Sequence, residues 1–128
     1  MVAISHINLF SADIEALSRF YAKVFGFSEV EKYRSPIFRL LDAGGVGLGF
    51  NAHAAYELLG IGELADTRGA RFLLNVEAGS EDEVRRLTQA AVEAGASLVK
   101  EPYLTYYQRF QAVLQDPEGN VFRVNHSL

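Results

Sequence analysis

The sequence predicts an α+β fold made of two βαβββ modules within one 128-residue domain. Three observations carry that expectation. The order of elements restarts near residue 70, each half contains one amphipathic helical stripe closed by a glycine, and each helix is followed by three short apolar runs separated by turn residues. Module one is expected over about 1–52, a linker over about 53–69, and module two over about 70–128.

Residues 3–10 read as a strand, with His6 and Asn8 two apart and therefore on one face. Ser11 or Asp13 is placed to cap a helix whose apolar positions, Ile14, Leu17, Tyr21 and Val24, recur at steps of three and four. Gly26 ends it. Strand-like runs follow at 27–32, 37–41 and 46–50, broken by Ser35-Pro36 and by Asp42-Ala43-Gly44-Gly45. The stretch 51–69 is long for a bare connection, and 54–59 has the composition of a short helix.

The second module repeats this order. A strand is expected over 70–76. Ser80 then caps a helix with Glu83 at the capping-box position, and Val84, Leu87, Ala91 and Ala94 form its stripe before Gly95. Glu81, Asp82 and Glu83 suit the positive end of that helix dipole and require no other role. Strands follow at 97–103, 110–115 and 121–125, with Asp116-Pro117-Glu118-Gly119 matching a type I turn.

Composition bounds the function. Twelve Lys and Arg against sixteen Asp and Glu leave a net charge of −4, a poor footprint for nucleic acid or an acidic membrane surface. The chain has no cysteine, so thiolate metal sites and cysteine nucleophiles are excluded. No apolar run approaches the roughly 18 residues of a membrane span, and the N-terminus lacks a basic region before an apolar stretch. A soluble cytoplasmic protein is the expectation. There is no Gly-x-Ser-x-Gly elbow and no His-Glu-x-x-His. The glycines at 44–49 lead into a strand, which rules out a phosphate-cradling turn before a helix.

His6-Ile7-Asn8-Leu9, Asp13, Phe20-Tyr21 and Phe25-Gly26-Phe27, together with Asp116-Pro117-Glu118-Gly119-Asn120 at the other end, resemble the vicinal oxygen chelate superfamily. That group contains glyoxalase I, the bleomycin-resistance proteins and the extradiol dioxygenases. The resemblance covers essentially the whole chain. It implies two βαβββ modules whose mixed sheets curl into a cup around a small molecule, and pairing of two chains as a homodimer.

Enzymes of this group typically hold a divalent metal with His and Glu side chains from the first and last strands of each module. Only His6 matches. The strand at 46–51 offers no carboxylate or imidazole, and the resemblance places Arg71 and Arg123 at the two positions of module two. Arginine has no lone pair to give a metal. His53 and His126 are the remaining imidazoles, in the linker and near the C-terminus. The expected protein is therefore metal-independent and without a cofactor.

Two guanidinium forks in a cup suit a carboxylate or phosphate, although each arginine has the alternative of pairing with Glu77 or Glu118. His6 has three readings: a general base or donor to the ligand, a structural histidine bonded to Asn8 or a backbone carbonyl, and a metal ligand. Tyr103, Tyr106, Tyr107 and Phe110 form an aromatic group that could wall a ring-bearing ligand or serve as packing. Arg34 and Arg39 read as solvated edge charges. The expected lining is His6, Asn8, Phe50, Arg71, Tyr106 and Arg123, with His6 as the candidate catalytic residue. The expected guest is an anionic or aromatic organic molecule. The alternative is a lyase, isomerase or dioxygenase of the same superfamily with His6 in a catalytic or metal-binding role.

Overall fold

A computed structural model of the chain describes residues 1–66 and 68–128. They divide into two compact units, Met1–Arg68 and Gly69–Leu128. The segment 53–66, read as linker, belongs to the first.

The first unit runs β1 (His6–Ser11), α1 (Ile14–Phe25), β2 (Ser28–Glu29), β3 (Phe38–Asp42), β4 (Gly47–Ala52) and a short α2 (Ala54–Leu58). Its four strands lie in the order β1-β4-β3-β2, with β1 parallel to β4 and the other pairs antiparallel. Helix α1 starts where Asp13 accepts the Ala16 amide at 3.0 Å. It stops where Gly26, at φ 75°, returns its N–H to the Ala22 carbonyl.

Its stripe of Leu17, Tyr21 and Val24 is buried with Leu9, Leu41, Leu48 and Phe50 of the strands. The Tyr21 and Phe50 ring centroids lie 5.8 Å apart. Full burial of such side chains is worth about 1.5–3 kcal/mol each, and it fixes which face of the sheet meets the helix.

The second unit repeats the plan as β5 (Leu74–Glu77), α3 (Glu81–Glu93), β6 (Ser97–Leu104), β7 (Arg109–Gln115) and β8 (Val121–Ser127), in the order β5-β8-β7-β6. Ser80 caps α3 by accepting the Glu83 amide at 3.0 Å, while the Glu83 carboxylate accepts the amide of Gly79, one residue earlier than in the standard capping box. The Gly79 N–H, helped by the Arg86 guanidinium, holds the Glu83 carboxyl below its usual pKa. Val84, Leu87 and Ala91 of α3 are buried, as are Ala112, Leu114, Phe122 and Val124 of the sheet. Asp116 closes the β7–β8 turn, its carbonyl accepting the Gly119 amide at 2.9 Å.

Three boundaries differ from expectation. Strand β1 begins at His6 because pairing starts only where the Ser5 carbonyl accepts the Gly47 amide, at 2.8 Å. The run 27–32 contracts to the two residues of β2 followed by a 3₁₀ turn at Glu31–Tyr33. Arg34 bends back from that turn to grip Glu29 with two bonds of 2.7 and 2.8 Å. Strand β5 begins at Leu74 and not at Ala70, since only Leu74–Glu77 find partners, on β8.

Candidate functional site

In each unit the helix covers one face of the sheet and strand alternation sends the remaining side chains to the far face. On the far face of the first unit, the register sets His6 beside Gly47 and Asn8 beside Gly49. A Cβ at Gly49 would fall 2.1 Å from Asn8 Oδ1, and one at Gly47 would fall 2.9 Å from Leu40 Cδ1. The glycines let neighbouring side chains lie across β4. His6 is exposed, with Nδ1 2.8 Å from Ser5 Oγ. Its partner is therefore neither Asn8 nor a backbone carbonyl.

The second unit's far face is built differently. Arg123 on β8 donates from Nε to Asn75 Oδ1 at 2.6 Å and from Nη1 to the Tyr107 hydroxyl at 3.5 Å. Among the described residues it has no ion pair; Glu77 instead accepts from Asn125 at 2.7 Å and lies 3.6 Å from Arg109. Gln111 on β7 is 2% exposed. Its amide donates to the hydroxyls of Tyr103 and Tyr107 at 3.2 and 3.0 Å, leaving both phenolic protons to be given elsewhere. Gln111 Oε1 is buried without a partner among the described residues. Lys100 Nζ sits 3.9 Å from the centre of the Tyr103 ring. The face thus offers the Lys100 and Arg123 cations and two hydroxyl donors, beside a Gln111 oxygen that can only accept and whose buried, unmet state costs about 1–3 kcal/mol.

The expected lining is only partly assembled here. Arg123 and Asn8 lie on far faces, and His6 shares a face with Asn8. Phe50 does not: it is fully buried beneath α1, on the opposite parity from Gly49, and is a core residue. Arg71 falls three residues before β5, exposed and outside the ladder. Counting back five residues from the helix caps Asp13 and Ser80 pairs Asn8 with Asn75, and Asn75 is the β5 residue that meets Arg123. Tyr106 is 94% exposed in the β6–β7 turn and meets Tyr107 edge-on. Of the aromatic group, Tyr103 and Tyr107 meet at Gln111, whereas Phe110 is buried beneath Arg85 of α3.

Gln111 was the readable signal that sequence analysis passed over: a lone amide inside the apolar run Phe110–Leu114. Arg39, read as a solvated edge charge, is 11% exposed and bound to Glu15 at 3.1 Å.

The metal centre implied by the resemblance does not fit this donor set. Arg123 occupies one position with a group that repels a cation, its neighbour across the ladder is Asn75 and that of Asn8 is Gly49, none of them a carboxylate or imidazole, and His6 is the one imidazole on either far face among the described residues. His53 faces the Tyr56 ring, and His126 Nδ1 is tied to the Ala78 carbonyl at 2.9 Å. Among the described residues no three His, Asp or Glu side chains gather in a metal-binding group.

Two βαβββ units, each with a helix-covered face and a far face, define a two-module α+β fold. The chain belongs to the Glyoxalase/Bleomycin resistance protein/Dioxygenase superfamily, whose family model matches residues 3–124. It is similar to a glyoxalase/bleomycin resistance protein/dioxygenase family enzyme from Burkholderia phytofirmans PsJN, at 52% identity and TM-score 0.95 over 97% of this chain and 98% of that one. A glyoxalase-related enzyme from Fulvimarina pelagi shares the fold at 23% identity and TM-score 0.87, covering 99% and 89% of the two chains. Lactoylglutathione lyase from Agrobacterium tumefaciens shares it at 18% identity and TM-score 0.71, covering 97% and 92%. No curated protein matches the chain by sequence. Among the described residues no helix is long and apolar enough to cross a membrane.

Proposed function

We propose that this protein binds a small organic anion, with aromatic carboxylates as the first class to test, without using a metal. The single observation that carries the reading is the Arg123–Tyr107–Gln111 group. An arginine bonded only to neutral partners, beside two phenols whose oxygens accept from Gln111 and whose protons are free to be given, is poised to receive a carboxylate. Tyr103 and Tyr107 supply flat apolar surface alongside it. The reading includes a cytoplasmic location and a homodimer, the latter supported by exposed Ile4, Ile7, Phe72 and Leu73. Sedimentation giving twice the chain mass would support the dimer, and a monomer at all concentrations would remove it.

Calorimetry against a panel of benzoate-like and aliphatic carboxylates, with and without chelator, tests the main reading. A true ligand stabilises the fold by about 2.7 kcal/mol at a hundredfold excess over Kd, and chelator leaves that value unchanged. Loss of binding in chelator would overturn metal independence. Gln111→Leu sharpens the test: it removes the unmet oxygen together with the two bonds to Tyr103 and Tyr107, so binding weakens as both hydroxyls lose the amide that orients them while the fold is retained.

A second reading rests on the exposed His6 imidazole and makes the protein a lyase, isomerase or dioxygenase of the superfamily. In that case His6→Ala abolishes turnover and spares binding; turnover that survives the change would remove His6 from the chemistry.

A further inference from the structure

The far faces do not account for all the charge on the molecule. A recess of about 270 Å³ opens on the helix side of the first unit, where α1 meets β2 and β3. Glu15 and Arg19 reach it from successive turns of α1, and Glu29, Arg34 and Arg39 reach it from the strands and the 3₁₀ turn. We propose that this recess is a binding site for a small oxyanion, a carboxylate or phosphate group, held by the guanidinium groups of Arg39, Arg34 and Arg19.

Arg39 carries the argument. Its Nη1 donates to the carbonyls of Ser35 and Phe38, and its Nη2 donates to Glu15 at 3.1 Å. A guanidinium has five N–H groups. Three are engaged, and Nε–H and the second Nη2–H have no partner among the described residues. The side chain is only 11% exposed. Neither nitrogen is among the buried atoms left without a partner, so both N–H groups stay open to the recess and an incoming oxyanion can take them without displacing a protein group.

Two further arginines point the same way. Arg34 spends Nε and Nη2 on Glu29 and Glu31, and its Nη1 has no partner among the described residues. Arg19 has no ion pair among them. Three guanidinium groups meet the three carboxylates of Glu15, Glu29 and Glu31, all three already engaged by Arg34 or Arg39, so the arginine N–H groups left over are the donors the recess has to offer. Size sets the class. The recess is smaller than pockets that enclose drug-sized molecules, roughly 300–1,000 Å³, and suits a compact anion.

Amide NMR titrations of the whole protein with inorganic phosphate and with acetate, at constant ionic strength and with chloride as control, test this site. Saturable shifts are expected at Ser18, Arg19 and Arg39, and saturation by phosphate, by acetate or by both supports the site and identifies which oxyanion it takes. Arg19→Glu, on the exposed helix surface, should weaken binding about tenfold, the loss of one charge-assisted contact. Arg39→Lys keeps the charge but loses the planar fork, and should weaken it comparably. Shifts that stay linear in concentration, that chloride reproduces, or that Arg19→Glu leaves unchanged would overturn the proposal. Shifts confined to Asn75, Tyr107 and Arg123 would overturn it equally, since they would place the anion on the second unit's far face.

Discussion

The two units share an element order, a strand order and a register, yet their far faces are opposites. Asn8 stands beside Gly49 in the first, and Asn75 stands beside Arg123 in the second. The first far face is opened by glycines over which neighbouring side chains fold, whereas the second is filled with hydroxyl, amide and guanidinium groups that hold one another in place. The difference teaches that the backbone plan places side chains but does not choose them: one register position accepts a hydrogen atom or an arginine because that side of the strand carries no helix.

The largest effect expected from breaking this comparison lies on the helix side. Phe50→Ala removes a fully buried ring next to Tyr21 and should cost about 3–5 kcal/mol of unfolding free energy in urea titrations. A loss below about 1 kcal/mol would return Phe50 to the ligand-lining role first expected of it.

Next in size is Gly49→Ala. The added methyl falls where Asn8 Oδ1 lies, so a loss of about 1–3 kcal/mol is expected. The double change Asn8→Ala with Gly49→Ala should recover much of it, because the clash involves that one side chain. Strict additivity would show that the glycine is needed for some other reason.

The smallest effect concerns the Arg34–Glu29 pair at the edge of the first sheet. Hydrogen bonding to Arg34 lowers the Glu29 pKa below 4.5 in the folded state. A depressed carboxylate contributes stability that is present above the unfolded pKa and is lost as pH falls through the folded value. Glu29→Gln should therefore cost no more than about 1 kcal/mol at pH 7 and flatten the acid limb of thermal stability below pH 4.5. An unchanged acid limb would show that the pair contributes nothing.

Much of this architecture is legible in the residues. The helical stripes, the Asp13 and Ser80 caps and the Asp116–Gly119 turn are local signals, and each appears where its chemistry requires. The site is less legible, because membership of a far face depends on register and not on residue type. Strand β5 begins four residues later than its apolar run suggests, which moves Arg71 out of the sheet and brings Asn75 to Arg123. Phe50 was misplaced by parity, since one step along a strand exchanges core for far face. Gln111 stands in the sequence as a lone amide within an apolar run, but the partners it holds follow from the pairing of β6 with β7 and not from residue type.

The central claim is that ligand recognition belongs to the second far face, with Arg123 as its charge. The most direct measurement is an amide NMR titration with the tightest carboxylate from the panel, comparing wild type with Arg123→Gln. The account predicts shifts centred on Asn75, Tyr107, Gln111 and Arg123, and a Kd weakened at least about tenfold by the substitution, as expected for a hydrogen bond to a charged group. Shifts centred on His6, Asn8 and Gly49, or an affinity indifferent to Arg123→Gln, would contradict it.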